Sequence, residues 1–180
     1  RSSLSEVETP AEGYADSMHY NTVFLNDGNS EADTGYFEFH DHILDRTIFI
    51  ASEPVGLSRA FHEAKGIQHV INLNKKCDIY ERHTDMTENV RKWWFQNLIH
   101  VALQLYDVPG NIVLCCSYGR SRSPAYLIAY LIVVHNISSS EALNVVRELL
   151  ASQRGETAVH DRFDTLAPVI NDIYERNFMY

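Results

Sequence analysis

The chain has 180 residues, of which 45% are hydrophobic and 22% charged; this fits a single globular domain and excludes a disordered or fibrous protein. Its net charge of −9 argues against a nucleic-acid binder, which carries a basic face. Three cysteines are too few for a disulfide framework, which points to a reducing compartment, and no CxxC or HExxH spacing marks a metal site.

The charge is unevenly spread. Residues 1–40 hold Arg1 against eight acidic side chains, which leaves the rest of the chain nearly neutral. With its Ser, Gly and Pro content, 1–35 reads as an acidic, flexible arm and 36–180 as the folded domain. No leader peptide is recognisable at the start, but the chain does not open with Met, so a removed targeting segment stays open. The longest apolar run, Ala125–Val134, is half of what a membrane span needs (~20 residues). The expected location is cytoplasmic, with nucleus and mitochondrion left open.

In chain order, a short strand is expected over Thr22–Leu25, ahead of Asn26-Asp27-Gly28. Tyr36–Phe39 and Thr47–Ile50 read as strands joined by a polar turn around Asp45-Arg46. His40-Asp41-His42 is read as a solvated part of that region rather than a metal site. A helix over Leu57–Lys65 ends at Gly66 as its left-handed cap, and Ile67–Leu73 is a compact β-rich run. Thr87–Tyr106 is helical, because Trp94, Leu98, Val101 and Leu105 recur with helical spacing; Trp93, Trp94 and Phe95 form a packing face. After Pro109-Gly110, Ile112–Cys115 is a buried strand, parallel to the Ile67–Leu73 run because a helix connects them. Three helices follow: the nearly all-apolar Ser121–His135, one opened by the capping box Ser138-Ser139-Ser140-Glu141, and Arg162–Glu175. The fold class is α/β, a small, mostly parallel twisted sheet flanked by helices.

The stretch that carries chemistry is Cys115-Cys116-Ser117-Tyr118-Gly119-Arg120-Ser121-Arg122-Ser123, at a strand-to-helix junction. Only Cys116 has five residues between itself and Arg122, with Gly119 inside the interval. Three cysteines give a chance Cys-x5-Arg roughly 0.2 times per chain, and requiring the Gly and Ser as well lowers this to about 0.001. A loop ahead of a helix N-terminus turns its backbone N–H groups inward, a cradle for a dianion, and Gly119 lets the backbone turn close to the ligand. Arg122 presents a planar, permanently charged fork to two phosphate oxygens. Helix N-termini and neighbouring arginines favour the thiolate form of cysteine, so Cys116 is expected to attack phosphorus directly.

This stretch resembles the signature of the cysteine-dependent protein tyrosine phosphatase superfamily, specifically its dual-specificity branch. The resemblance covers roughly residues 41–176 and implies a three-layer α/β sandwich. It implies Cys116 as the nucleophile that forms a phosphocysteine, with Arg122 on the phosphoryl oxygens. Ser123 would bond the departing thiolate, and the backbone of Ser117, Tyr118, Gly119, Arg120, Ser121 and Arg122 would line the cradle. In this branch the general acid lies about thirty residues upstream, and Asp85 is 31 residues before Cys116. Asp78 is the alternative, Glu88 is read as a first-turn helix residue, and Phe95 sits where the family tends to place an aromatic. The implied substrates are phosphorylated proteins carrying phosphotyrosine, phosphoserine or phosphothreonine, with no cofactor, no metal, no nucleic acid and no membrane span.

The sequence departs from the family pattern at Cys115, where a histidine usually supports the loop, and at Val159-His160, where Pro-Asn is usual. These departures leave open a pseudophosphatase that binds phosphorylated partners without turnover. Gly119-Arg120-Ser121-Arg122-Ser123, Asp85-Met86-Thr87 and Ala129–Asn136 are also similar to stretches of the mitochondrial phosphatidylglycerophosphate phosphatases, with Arg120 as a second cation for a phospholipid headgroup. Asn72–Ile79 lacks the acidic, aromatic-rich segment of that group. Cys77 occupies a place where some relatives carry a thiol that pairs with the nucleophile under oxidation; a plain free cysteine is the simpler reading.

Overall fold

The computed structural model describes residues 16–18, 24–28, 35–73, 87–116, 122–155 and 162–178, with backbone alone at 16–18, 162–165 and 177–178. Among the described residues, five strands form one sheet: β1 (Asp16–Met18), β2 (Tyr36–Asp41), β3 (Arg46–Ser52), β4 (His69–Asn72) and β5 (Ile112–Cys116). Their spatial order is β1-β4-β5-β3-β2. The three central strands run parallel, and both edge strands run antiparallel to their neighbours.

Ile48–Ala51 of β3, Val70-Ile71 of β4 and all of β5 are apolar and buried because both faces of the sheet are covered. On one face Ile48, Ile50, Ile71, Leu73, Ile112, Leu114 and Cys116 meet the large helical layer. That layer comprises helices Glu88–Asp107, Arg122–Val133, Ser139–Arg154 and Arg162–Phe178, here α3 to α6. On the other face Phe49, Ala51, Val70, Val113 and Cys115 meet Val55, Leu57 and Phe61. Those three come from the short helices α1 (Glu53–Gly56) and α2 (Arg59–Lys65) and the turn between them. Helix α4 is buried from Ser123 through Val133, so it is the hub of the helical layer. Trp93, Trp94 and Phe95 are buried in the same layer, a packing face as the periodicity requires. Among the described residues no helix is long and apolar enough to cross a membrane.

Local signals set the helix ends. Thr87 accepts from Val90 N and Ser138 from Glu141 N, so each side chain satisfies an amide that its helix leaves unpaired. Gly66 caps α2 with φ +62°, a left-handed position that glycine takes without strain. The helix expected over Leu57–Lys65 begins two residues later, because Ser58 is its N-cap and accepts from Phe61 N.

The region around Asp41 corrects the sequence reading. His40 is exposed, but Asp41 is 0% exposed and is the centre of a buried polar cluster. Arg46 Nε donates to it at 3.1 Å, the Tyr130 hydroxyl donates to the same carboxylate oxygen, and His135 Nε2 lies 3.0 Å from the other. Arg46 also donates to the carbonyls of Leu105 and Val108, tying the end of α3 to the start of β3. Burial opposes ionisation of Asp41, but the bonds from His135, Tyr130 and Arg46 hold its carboxyl well below the usual carboxylate range. The burial comes from partners contributed by β3, α4 and the turn just after α4, not from the His-Asp-His triplet itself.

Two stretches of the acidic lead-in are bonded into the fold. β1 pairs with β4, Asp16 opposite Asn72. Residues 24–28 lie along α1 and α2: Leu25 N donates to Leu57 O, Arg59 N to Asn26 O, and Ala60 N to Asp27 O. Of the strand expected over Thr22–Leu25, residues 22 and 23 lie outside the described residues, Phe24 and Leu25 belong to no strand, and Asn26 makes an isolated bridge with Ser58. At the opposite edge, Gln153 of α5 reaches over β2. Its Oε1 accepts from Glu38 N and its Nε2 donates to Glu38 O, both at 2.8 Å.

Candidate active site

Ligand sites in open α/β sheets lie beyond the carboxyl ends of the parallel strands. Cys116 stands at that end of β5, the middle strand, in register with Ser52 of β3. Its side chain turns into the helical face and is 2% exposed. α4 begins six residues later, so its first two side chains return to the strand end. Ser123 Oγ lies 3.1 Å from Cys116 Sγ, within hydrogen-bond reach, and is fully buried. Arg122, the first residue of α4, donates from Nη1 to the carbonyl of Leu73 at 3.3 Å. Leu73 follows β4 and is itself anchored by donating its N–H to Cys115 O. The ends of β4 and β5 and the start of α4 are thus bonded into one corner.

Adjacent strand residues face opposite ways. Cys115 therefore points away from Cys116, into the α1–α2 side, and is fully buried. Burial pushes its thiol far above the ordinary value, and the neighbouring Cys116 and Glu53 act in the same direction. Among the described residues, no group of three His, Cys, Asp or Glu is placed to hold a metal ion.

This strand–loop–helix corner falls within residues 48–163, which match the catalytic domain of the dual specificity phosphatases. The chain belongs to that family. No curated protein matches it. As a dual-specificity phosphatase domain it is a hydrolase of phosphate esters, with the sheet and flanking helices of the protein tyrosine phosphatase fold.

Of the residues expected to form the phosphatase site, Cys116, Arg122 and Ser123 are brought together. Ser117, Tyr118, Gly119, Arg120, Ser121 and the expected acid Asp85 lie outside the described residues, as do Cys77, Asp78, Val159 and His160. α3, which begins just after Asp85, is fixed from its first turns. Arg91 donates through two nitrogens to the Asp172 carboxylate of α6, and the Arg176 guanidinium stands 4.6 Å over the Phe95 ring. Together with Glu88 these residues line an open groove between α3 and α6. Glu88 is an exposed first-turn carboxylate, favoured there by the helix dipole. Sequence reasoning missed the Leu73 carbonyl as an acceptor for Arg122, because a backbone oxygen leaves no signature in side-chain identity.

Proposed function

We propose that the chain is a dual-specificity protein phosphatase that hydrolyses phosphotyrosine and phosphoserine or phosphothreonine through a phosphocysteine intermediate. The observation that carries this reading is the approach of Cys116 Sγ to Ser123 Oγ at 3.1 Å, one residue from Arg122, at the carboxyl end of the central strand. The Cys116 thiolate attacks phosphorus and the ester P–O bond breaks, while Asp85 gives its proton to the leaving oxygen. Arg122 and the backbone N–H groups of 117–122 bind the equatorial oxygens, with Arg120 as a further cation at the rim. Water then attacks the phosphocysteine, Asp85 takes its proton, the P–S bond breaks and inorganic phosphate is released. Ser123 stabilises the departing thiolate by a hydrogen bond. In this reading 36–180 carries the chemistry, no cofactor takes part, and the acidic lead-in of 1–35 does no chemistry.

The test is a panel of phosphotyrosine, phosphothreonine, phosphoinositide and phosphatidylglycerophosphate substrates, run beside Cys116→Ser. Turnover of phosphopeptides by the wild type alone is the expected result. Equal signals from both proteins end the enzymatic reading in favour of a phosphoprotein-binding domain. Turnover of short-chain phospholipid without phosphopeptide turnover moves the substrate to a lipid.

A further inference from the structure

The strand that carries Cys116 is supported from behind by an element unrelated to the Cys-x5-Arg loop. Cys115 lies against the last residue of α1: a Cβ placed on Gly56 would stand 2.5 Å from Cys115 Cβ and 3.1 Å from its Sγ. The Gly56 backbone therefore rests directly on the penultimate side chain of β5, with the small Ala51 as the register partner of Cys115 in β3. A four-residue helix cannot pair its own terminal carbonyls. The Gly56 carbonyl instead meets His62 Nε2 of α2 at 2.6 Å. A carbonyl only accepts, so Nε2 carries the hydrogen and donates.

His62 is buried in apolar surroundings. The Phe24 ring meets it in a T-shaped contact with a centroid separation of 4.8 Å, and Phe61, its neighbour in α2, belongs to the apolar cluster that holds Cys115. Burying an imidazole there is costly unless its N–H is used. Burial also lowers its pKa, against the opposing effect of the Gly56 bond, which keeps the ring neutral and the donor fixed.

We propose that His62 is a positioning residue for the phosphate loop: its bond to the Gly56 carbonyl sets how closely α1 presses on Cys115, and so fixes the end of β5 from which Cys116 and the loop depart. This rests on the reading of Cys116 as the nucleophile. Misplacement by about 1 Å at a reacting group costs on the order of 10²-fold in rate, so even a fraction of that movement is measurable.

The experiment compares His62→Leu, which fills the site without a donor, with His62→Gln, which keeps an N–H donor. The readouts are kcat and KM on a phosphopeptide and the rate of Cys116 alkylation by iodoacetamide at pH 7, measured by mass spectrometry well below each Tm. Expected are a loss of about tenfold in kcat for His62→Leu with little change in KM, a parallel slowing of alkylation, and recovery of most of both in His62→Gln. A His62→Leu protein of lower Tm whose kcat and alkylation rate stay within about twofold of wild type overturns the proposal and leaves His62 a packing residue. Should His62→Leu fail to fold, Cys115→Ala reads the same contact from the other side. It opens the gap to Gly56 and is expected to slow Cys116 alkylation, and an unchanged rate overturns the proposal. Failure of the catalytic reading looks different: the wild type then has no Cys116-dependent turnover, whereas the alkylation comparison still reports on the support.

Discussion

Asp41→Asn removes one charge and almost no volume from the buried cluster of Asp41, Arg46, Tyr130 and His135. The Arg46 side chain is 1% exposed, so its cation is left in the interior without a counter-charge, and Tyr130 and His135 lose a carboxylate partner. Breaking a buried pair by removing one member costs about 3–5 kcal/mol. For a protein of this size each kcal/mol moves Tm by about 2–4 °C, so a fall of about 6–20 °C is expected. The pH dependence gives a second check. Asp41 has its folded-state pKa depressed below the ordinary 3.8, so its contribution is complete above that value and is lost as pH falls through and below it. The Tm difference between wild type and Asp41→Asn therefore narrows as pH drops from about 5 toward 2. Activity at 20 °C is expected to survive, since the cluster lies at the start of β3 and Cys116 beside its far end, six residues along, or about 20 Å at strand spacing. Thermal unfolding monitored by circular dichroism from pH 2 to 8 measures all of this. A Tm within about 2 °C of wild type at pH 7 refutes the argument, because it means that Arg46 finds its counter-charge elsewhere.

Asp85→Ala is expected to lower kcat with little change in KM, because a general acid acts mainly in the transition state; steady-state rates unaltered by this change would assign the acid to another residue. Cys115, its thiol raised by burial, stays protonated and covered through pH 9, so iodoacetamide labels Cys116 and spares Cys115 in the folded protein. Mass spectrometry of the labelled peptide checks this, and equal labelling of both thiols at pH 8 contradicts it. Cys115→His restores the residue usual in the family but has no room beside Gly56. Overpacking of this kind costs about 1–3 kcal/mol, and a urea midpoint no lower than that of wild type would show that α1 yields.

The elements with strong periodicity or chemical punctuation were legible in the sequence. The Trp94–Leu105 spacing marks α3, Ser138 with Glu141 opens α5, and Gly66 closes α2. The unbroken apolar runs of β3 and β5 follow from a sheet covered on both faces. The placement of Cys116 at a strand end and of Arg122 and Ser123 at the start of the next helix was legible because two apolar runs separated by a polar, glycine-containing stretch mark a strand-to-helix junction. What was illegible depends on distant partners. Asp41 looks like a surface residue until Arg46, Tyr130 and His135 enclose it, and the last two are about ninety positions away. β1 has no alternation of its own and exists only because the edge of β4 offers hydrogen bonds. The dependence of Cys115 on Gly56 is a matter of backbone approach, and nothing in a four-residue Glu-Pro-Val-Gly segment announces it.

Gln153 has a consequence for how the protein behaves in a crowded solution. The outer border of an edge strand exposes amides and carbonyls that a foreign strand can adopt, the first step of domain exchange and fibril growth. A primary amide carries one acceptor and one donor in nearly the geometry of a peptide group. Placed against Glu38, it acts as a one-residue counterfeit of the next strand. An incoming chain must evict it before it gains any bond there, so the sheet terminates at β2 instead of recruiting its neighbours. A single side chain near the end of a helix thus defends the fold against propagation, a task more often given to lysine, proline or a bulge.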